Sequence, residues 1–185
     1  MVTIMSLWLA ILLSAVIVWI ASALVWMVLP HHKKEWKGLP NEEAARSALK
    51  GAAPGLYMIP FAHGPEAMRD PAMQKKLQEG PLAYVTVRPP GDIAMGPRLV
   101  QSFLFYVVVA IVVAYMTSRT LAPGAEYLSV FRVAGTVAWL THGFAVIPES
   151  IWFGRPWSST AKSLGDGLLY ALLTAGVFGW RWPDM

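Results

Sequence analysis

His142, Glu149 and Asp166 are the residues of this 185-residue chain best placed to do chemistry in an apolar setting. Imidazole can relay a proton or bind a ligand, and a carboxylate can take up a proton or a cation. Ionisable groups are costly inside a membrane segment, so each is a functional candidate by default. His142 lies in the run "THGFAVIPESIWFGRPW", seven positions from both Gly135 and Glu149, and an unbroken helix would set all three on nearly one face. Pro148 intervenes and is expected to end that helix before Glu149 joins the stripe. The bland reading of His142 is a hydrogen bond to a hydroxyl or carbonyl of a neighbouring helix. Asp166 also has a structural reading: "SLGD" fits a capping pattern with Ser163 as cap and Asp166 three residues on, starting a helix at that point. Arg132 is near enough to a helix end to reach the outer interface and pair with Glu126.

Metal and haem chemistry need ligands at defined spacing. His31 and His32 end the first apolar run on the side that His142 and Glu149 are expected to approach, so three helical ends could bring His, Glu and Asp together as a haem or metal set. The chain has no H-E-x-x-H, no paired Glu-x-x-His and no second intramembrane histidine. No metal or cofactor is therefore expected, and the His31, His32, His142 set stays open as the alternative. The chain contains no cysteine, which removes disulfides, thiolate sites and iron–sulfur clusters. It has neither a phosphate loop nor a nucleophile elbow.

The elements that must carry these residues follow from composition. Of all residues, 56% are hydrophobic and 14% charged, more apolar surface than a small soluble core could hide. Four segments approach or exceed the roughly 20 apolar residues that cross a bilayer: Val2 to Leu29, Leu99 to Thr117, Tyr127 to Ile147 and Leu164 to Trp182. The first carries no charge and exceeds the about 7–15 residues of a signal-peptide core, so it is expected to be a retained helix. "FLFYVVVAIVVAYM" in the second is rich in β-branched residues, yet its unpunctuated length argues for a spanning helix. The predicted fold is an all-α integral membrane protein: helix 1 over 1–29, a cytoplasmic insertion over 30–98 with short helices, and helices 2 to 4 over 99–185.

Orientation rests on ten Lys/Arg between Pro30 and Arg98, with Lys33, Lys34 and Lys37 next to the first helix. They place the insertion in the cytoplasm and both termini outside. The net charge of +4 is thus a matter of topology, and no nucleic-acid partner is expected. Trp152, Arg155 and Trp157 are expected to anchor the inner interface, and Trp180 and Trp182 the outer one; Trp19 and Trp139 fall nearer the middle and pack against helices or lipid.

Within the insertion, Asn41 is expected to cap a helix from Glu42 to Lys50, and Asp70 with Pro71 to start another that stops at Gly80. "PLAYVTVRPPG" reads as one extended segment in need of a partner strand, from the insertion or from another subunit. Tyr57, Met58, Ile59 and Phe61 form an apolar patch that packs locally or binds headgroups or another protein. In the fourth helix, Gly176 and Gly179, with Gly165, Gly167, Ala171 and Ala175, allow another helix to approach closely.

The stretches "PGLYMIPF", "VFRVAG", "IWFGRPW" and "DGLLYALLTAGVFGWRWP" resemble uncharacterised bacterial inner-membrane proteins with four spans and one cytoplasmic insertion. The resemblance runs from about Pro54 to the end and implies an envelope location without implying a reaction. The expected function is an accessory, assembly or scaffold subunit of a bacterial inner-membrane complex, with the bilayer and a membrane protein or a second copy as partners. The alternative is a small transporter or membrane enzyme using His142, Glu149 and Asp166 in a polar pocket at the cytoplasmic ends of helices 3 and 4. Few intramembrane polar groups and no inverted repeat argue against a solute pathway.

Overall fold

The structure, a computed structural model, describes residues 2–184. It is mostly helical, and three helices are long and apolar enough to cross a membrane: Ile4–Val28, Met95–Thr120 and Tyr127–Trp152. The first is α1 (Trp8–Ala23), extended by a 3-10 turn at its start (Ile4–Leu7) and by a π-turn at its end (Leu24–Val28). Thr3 caps it, accepting a hydrogen bond from the Ser6 amide. The second, α5 (Met95–Thr120), contains the whole β-branched run. An isolated strand cannot satisfy its backbone in an apolar medium whereas a helix does so internally, which overrides the strand preference of Val and Ile.

The third of these helical segments runs past its expected end at Ile147. After α6 (Tyr127–Gly143) the chain passes through a 3-10 turn (Phe144–Val146) straight into α7 (Ile147–Trp152). Pro148 sits in the first turn of α7, where its missing N–H leaves no bond unmade. The helical path therefore continues past Pro148 and stops near Gly154, whose φ of 70° favours a glycine. The start of α8 (Trp157–Trp180) is a second correction. It begins seven residues before Leu164, because Pro156 holds an extended backbone (ψ 130°) and the chain is free to coil directly after it. Ser163 and Asp166 are thus helix-interior residues, and the capping pattern "SLGD" is not used as a cap. With 24 residues, α8 matches its neighbours in length but carries Lys162 and Asp166 in its first half.

α6 and α8 approach most closely, through small residues. A Cβ on Gly167 would lie 2.8 Å from the Gly143 Cα, and one on Gly179 would lie 2.6 Å from the Tyr127 ring. The helix approaching Gly179 is therefore α6 of the same chain, while Gly176 faces the Tyr127 hydroxyl at 3.8 Å. Val113, Ala114, Val130, Ala134, Ala175 and Phe178 form the centre of the core. Indole N–H groups tie helices together: Trp19 donates to the Leu99 carbonyl at 3.0 Å, and Trp139 to that of Leu164 at 3.2 Å.

Residues 37–93 form a second compact unit (Lys37–Ile93). It holds α2 (Glu42–Ala48), β1 (Gly55–Ile59), α3 (Gly64–Arg69), α4 (Pro71–Glu79) and β2 (Ala83–Val87). Asn41 accepts from the Ala44 amide and Asp70 from that of Ala72, as their cap positions require. The extended segment finds its partner inside the unit: β1 and β2 are antiparallel, with Tyr57 opposite Val85 and Ile59 opposite Ala83. The patch Tyr57, Met58 and Ile59 is thus strand β1, and Phe61 follows it. The unit has local structure throughout but no buried residue.

Candidate functional site

The polar centre of the helical unit lies where the first span ends. Leu29 adopts an extended backbone (ψ 142°), and Pro30 opens a 3-10 turn (Pro30–His32) that brings two consecutive histidines back against α8. The His31 Nε2 lies 3.1 Å from Asp166 Oδ1, and the His32 Nε2 lies 2.7 Å from Asp166 Oδ2. A single carboxylate is shared between two imidazoles. His32 is 4% exposed and Asp166 13%, so both partners are largely withdrawn from water. The Trp26 ring stacks on His32 with centroids 3.9 Å apart and planes within 2° of parallel, which fixes the orientation of the imidazole.

The other nitrogen of His32 is also engaged: Nδ1 is 2.8 Å from Glu35 Oε1. Lys162, one helical turn before Asp166 and on the same face of α8, reaches Glu35 Oε1 at 3.3 Å and donates to the His31 carbonyl. Partial burial works to raise the Glu35 pKa, but hydrogen bonds and charge from His32 and Lys162 win and hold its carboxyl below the ordinary value. The cluster has two carboxylates against one ammonium and therefore carries one net negative charge when both imidazoles are neutral. His31, His32 and Asp166 offer ligand atoms that all lie within 4.8 Å of one another, a set that can hold a metal ion or form a hydrogen-bonded relay.

Of His142, Glu149 and Asp166, only Asp166 belongs to this centre. The His142 ring lies among Phe105, Tyr106 and Tyr170, with centroids 5.8 Å from each tyrosine, so its neighbours are aromatic. Glu149 is 58% exposed and pairs with Arg155 at 3.7 Å, while Arg155 also donates to the Ser163 hydroxyl at 2.8 Å. His142, Glu149 and Asp166 thus have three separate sets of partners. Of the alternative metal set His31, His32 and His142, the first two come together and Asp166 stands in the third place.

Trp152, Trp157 and Trp180 are exposed, as interface anchors would be. Trp182 is 8% exposed, and its indole donates to the Ala122 carbonyl at 2.9 Å, so it fastens the tail to the turn between α5 and α6. Glu35, Lys162 and Trp26 went unrecognised in the sequence as parts of a polar site. The i, i+4 spacing of Lys162 and Asp166 was the available signal; Trp26 and Glu35 offered none, because their roles depend on how the chain turns at Pro30. No family model, no curated protein and no solved structure matches the chain.

Proposed function

We propose that the chain is an accessory, assembly or scaffold subunit of a bacterial inner-membrane complex, crossing the bilayer four times with its Lys37–Ile93 unit in the cytoplasm and both termini outside. A fourth crossing by α8 is supported by its 24 residues, about 36 Å at 1.5 Å per residue, and by its close packing along α6. The cytoplasmic placement is supported by Lys33, Lys34 and Lys37 directly after the first span.

The observation that carries the interaction reading is the lack of any buried residue in the Lys37–Ile93 unit. A chain of this size normally buries about 60% of its surface when it folds alone. Here Leu56 is 85% exposed, and Ile59, Phe61 and Leu82 are exposed as well. Apolar side chains left uncovered in this way mark a surface that a partner covers. A membrane-protein partner suits it, since the attached helices confine any encounter to the bilayer plane.

Purification of the full chain in mild detergent, followed by mass spectrometry, tests this reading. Leu56→Ser, Ile59→Ser and Phe61→Ser together should strip the co-purifying partner or convert an oligomer to monomer, while the helical unit keeps its circular dichroism. A wild-type chain that runs as a monomer with nothing bound would overturn it. The alternative, a small transporter or membrane enzyme, draws support from the polar centre at His31, His32 and Asp166, which joins the exit of the first span to α8 instead of lying between α6 and α8.

A further inference from the structure

We propose that His31, His32 and Asp166 bind one divalent first-row transition-metal ion, with Glu35 as the residue that orients His32. This site goes beyond the interaction reading and stands whether or not a partner covers the insertion.

Four observations converge on it. The first is the ligand set itself: two imidazole nitrogens and a carboxylate, with no thiolate, suit zinc, iron(II), nickel or copper. The second is the hydrogen-bond arithmetic of His32. Both of its nitrogens face carboxylate oxygens, at 2.7 and 2.8 Å, yet a neutral imidazole has one N–H to donate. With that proton on Nδ1, directed at Glu35, the Nε2 lone pair is aimed at Asp166, and a cation between them, a second proton or a metal ion, is what keeps the two paired.

The third is the supporting shell. Carboxylate–histidine–metal triads fix the tautomer and the ring plane of a ligand histidine. Glu35 supplies that carboxylate, Trp26 stacks on the ring, and Lys162 balances Glu35 while holding the His31 carbonyl. The fourth is charge: Asp166 and Glu35 outweigh Lys162, and Lys33 and Lys34 both point into solvent as exposed side chains. With both imidazoles neutral the site keeps one negative charge, and a divalent cation reverses its sign.

Around a tetrahedral ion with bonds of about 2.0–2.2 Å, ligand atoms stand about 3.4 Å apart. The nitrogens are now 3.1 Å from Oδ1 and 2.7 Å from Oδ2 of Asp166, and the ligand atoms all lie within 4.8 Å of one another, so Asp166 has to withdraw and the imidazoles to adjust to admit the ion. Three protein ligands leave one or more positions to water. Because two of these ligands come from the turn after the first span and one from α8, the ion also clasps those segments together.

The test uses the full chain, stripped with chelator in detergent and titrated with Zn(II), with Co(II) as a spectroscopic probe. One equivalent of Zn(II) should bind, and Co(II) should give the visible bands of a low-symmetry nitrogen–oxygen site. His32→Ala and Asp166→Asn should abolish stoichiometric binding, Glu35→Gln should weaken it about 10–100-fold, and His142→Ala should leave it unchanged. If Asp166→Asn or His32→Ala fails to fold, His31→Ala decides the matter, since that side chain is 34% exposed and its removal leaves the helix contacts in place. No binding by the wild-type chain would overturn the proposal, as would equal binding by wild-type and folded His31→Ala protein.

Discussion

The helical unit and the Lys37–Ile93 unit use the same kinds of residue to opposite ends. In the first, Phe178, Val113 and Ala134 are wholly buried, and glycine brings α6 and α8 into backbone contact at Gly143 and Gly167. In the second, capped helices and a registered hairpin are present, yet Leu56, Ile59 and Phe61 stay exposed. Local signals are therefore enough to form elements in both units, while packing is completed within the chain in only one. Exposed Leu and Val on α1 and α5 have a ready explanation in lipid. The exposed residues of the Lys37–Ile93 unit are covered by nothing within that unit.

Substitutions can sharpen that contrast. Phe178→Ala should have the largest effect, a loss of about 3 kcal/mol, the low end for removing a buried Phe because lipid gives part of the apolar contact back on unfolding. Denaturation in mixed micelles measures it. Gly167→Val should come next, at about 2 kcal/mol, because its Cβ would meet the Gly143 Cα and force α6 from α8. Leu56→Ser, in contrast, should move stability by less than about 0.5 kcal/mol, as expected for a surface site, while still weakening partner capture. A large stability loss at Leu56 would mean that the chain itself covers this residue. Glu149→Gln should be smaller than Gly167→Val as well, below about 1 kcal/mol, since an exposed ion pair with Arg155 is mostly screened by water.

The candidate centre was only half legible. The helix ends carrying His31, His32, His142, Glu149 and Asp166 were expected to be able to meet on one side, but nothing in the sequence selected Asp166 as the partner of the two histidines. The capping pattern at Ser163 drew Asp166 toward a helix start, and the start of α8 at Trp157 removes that role. His142 was the more suspect residue on depth alone, and its surroundings turn out to be aromatic. Pro148 carried a breaking signal, and α6 does end at Gly143 ahead of it, although a proline in the first turn of α7 lets the helical path resume.

Composition, charge placement and local chemistry were determined by the sequence alone. The long apolar runs require helices wherever water is absent, and Asn41 and Asp70 cap the helices of the insertion because a side-chain oxygen next to free amides needs no distant partner. Only the tertiary structure decided that the strand Ala83–Val87 pairs with Gly55–Ile59, that Tyr127 fills the space left by Gly179, and that His31 and His32 share Asp166 across more than 130 positions of chain. Those contacts depend on helix rotation and on the turn at Pro30, and a carboxylate takes the partner that the fold brings to within about 3 Å, whatever its separation along the chain.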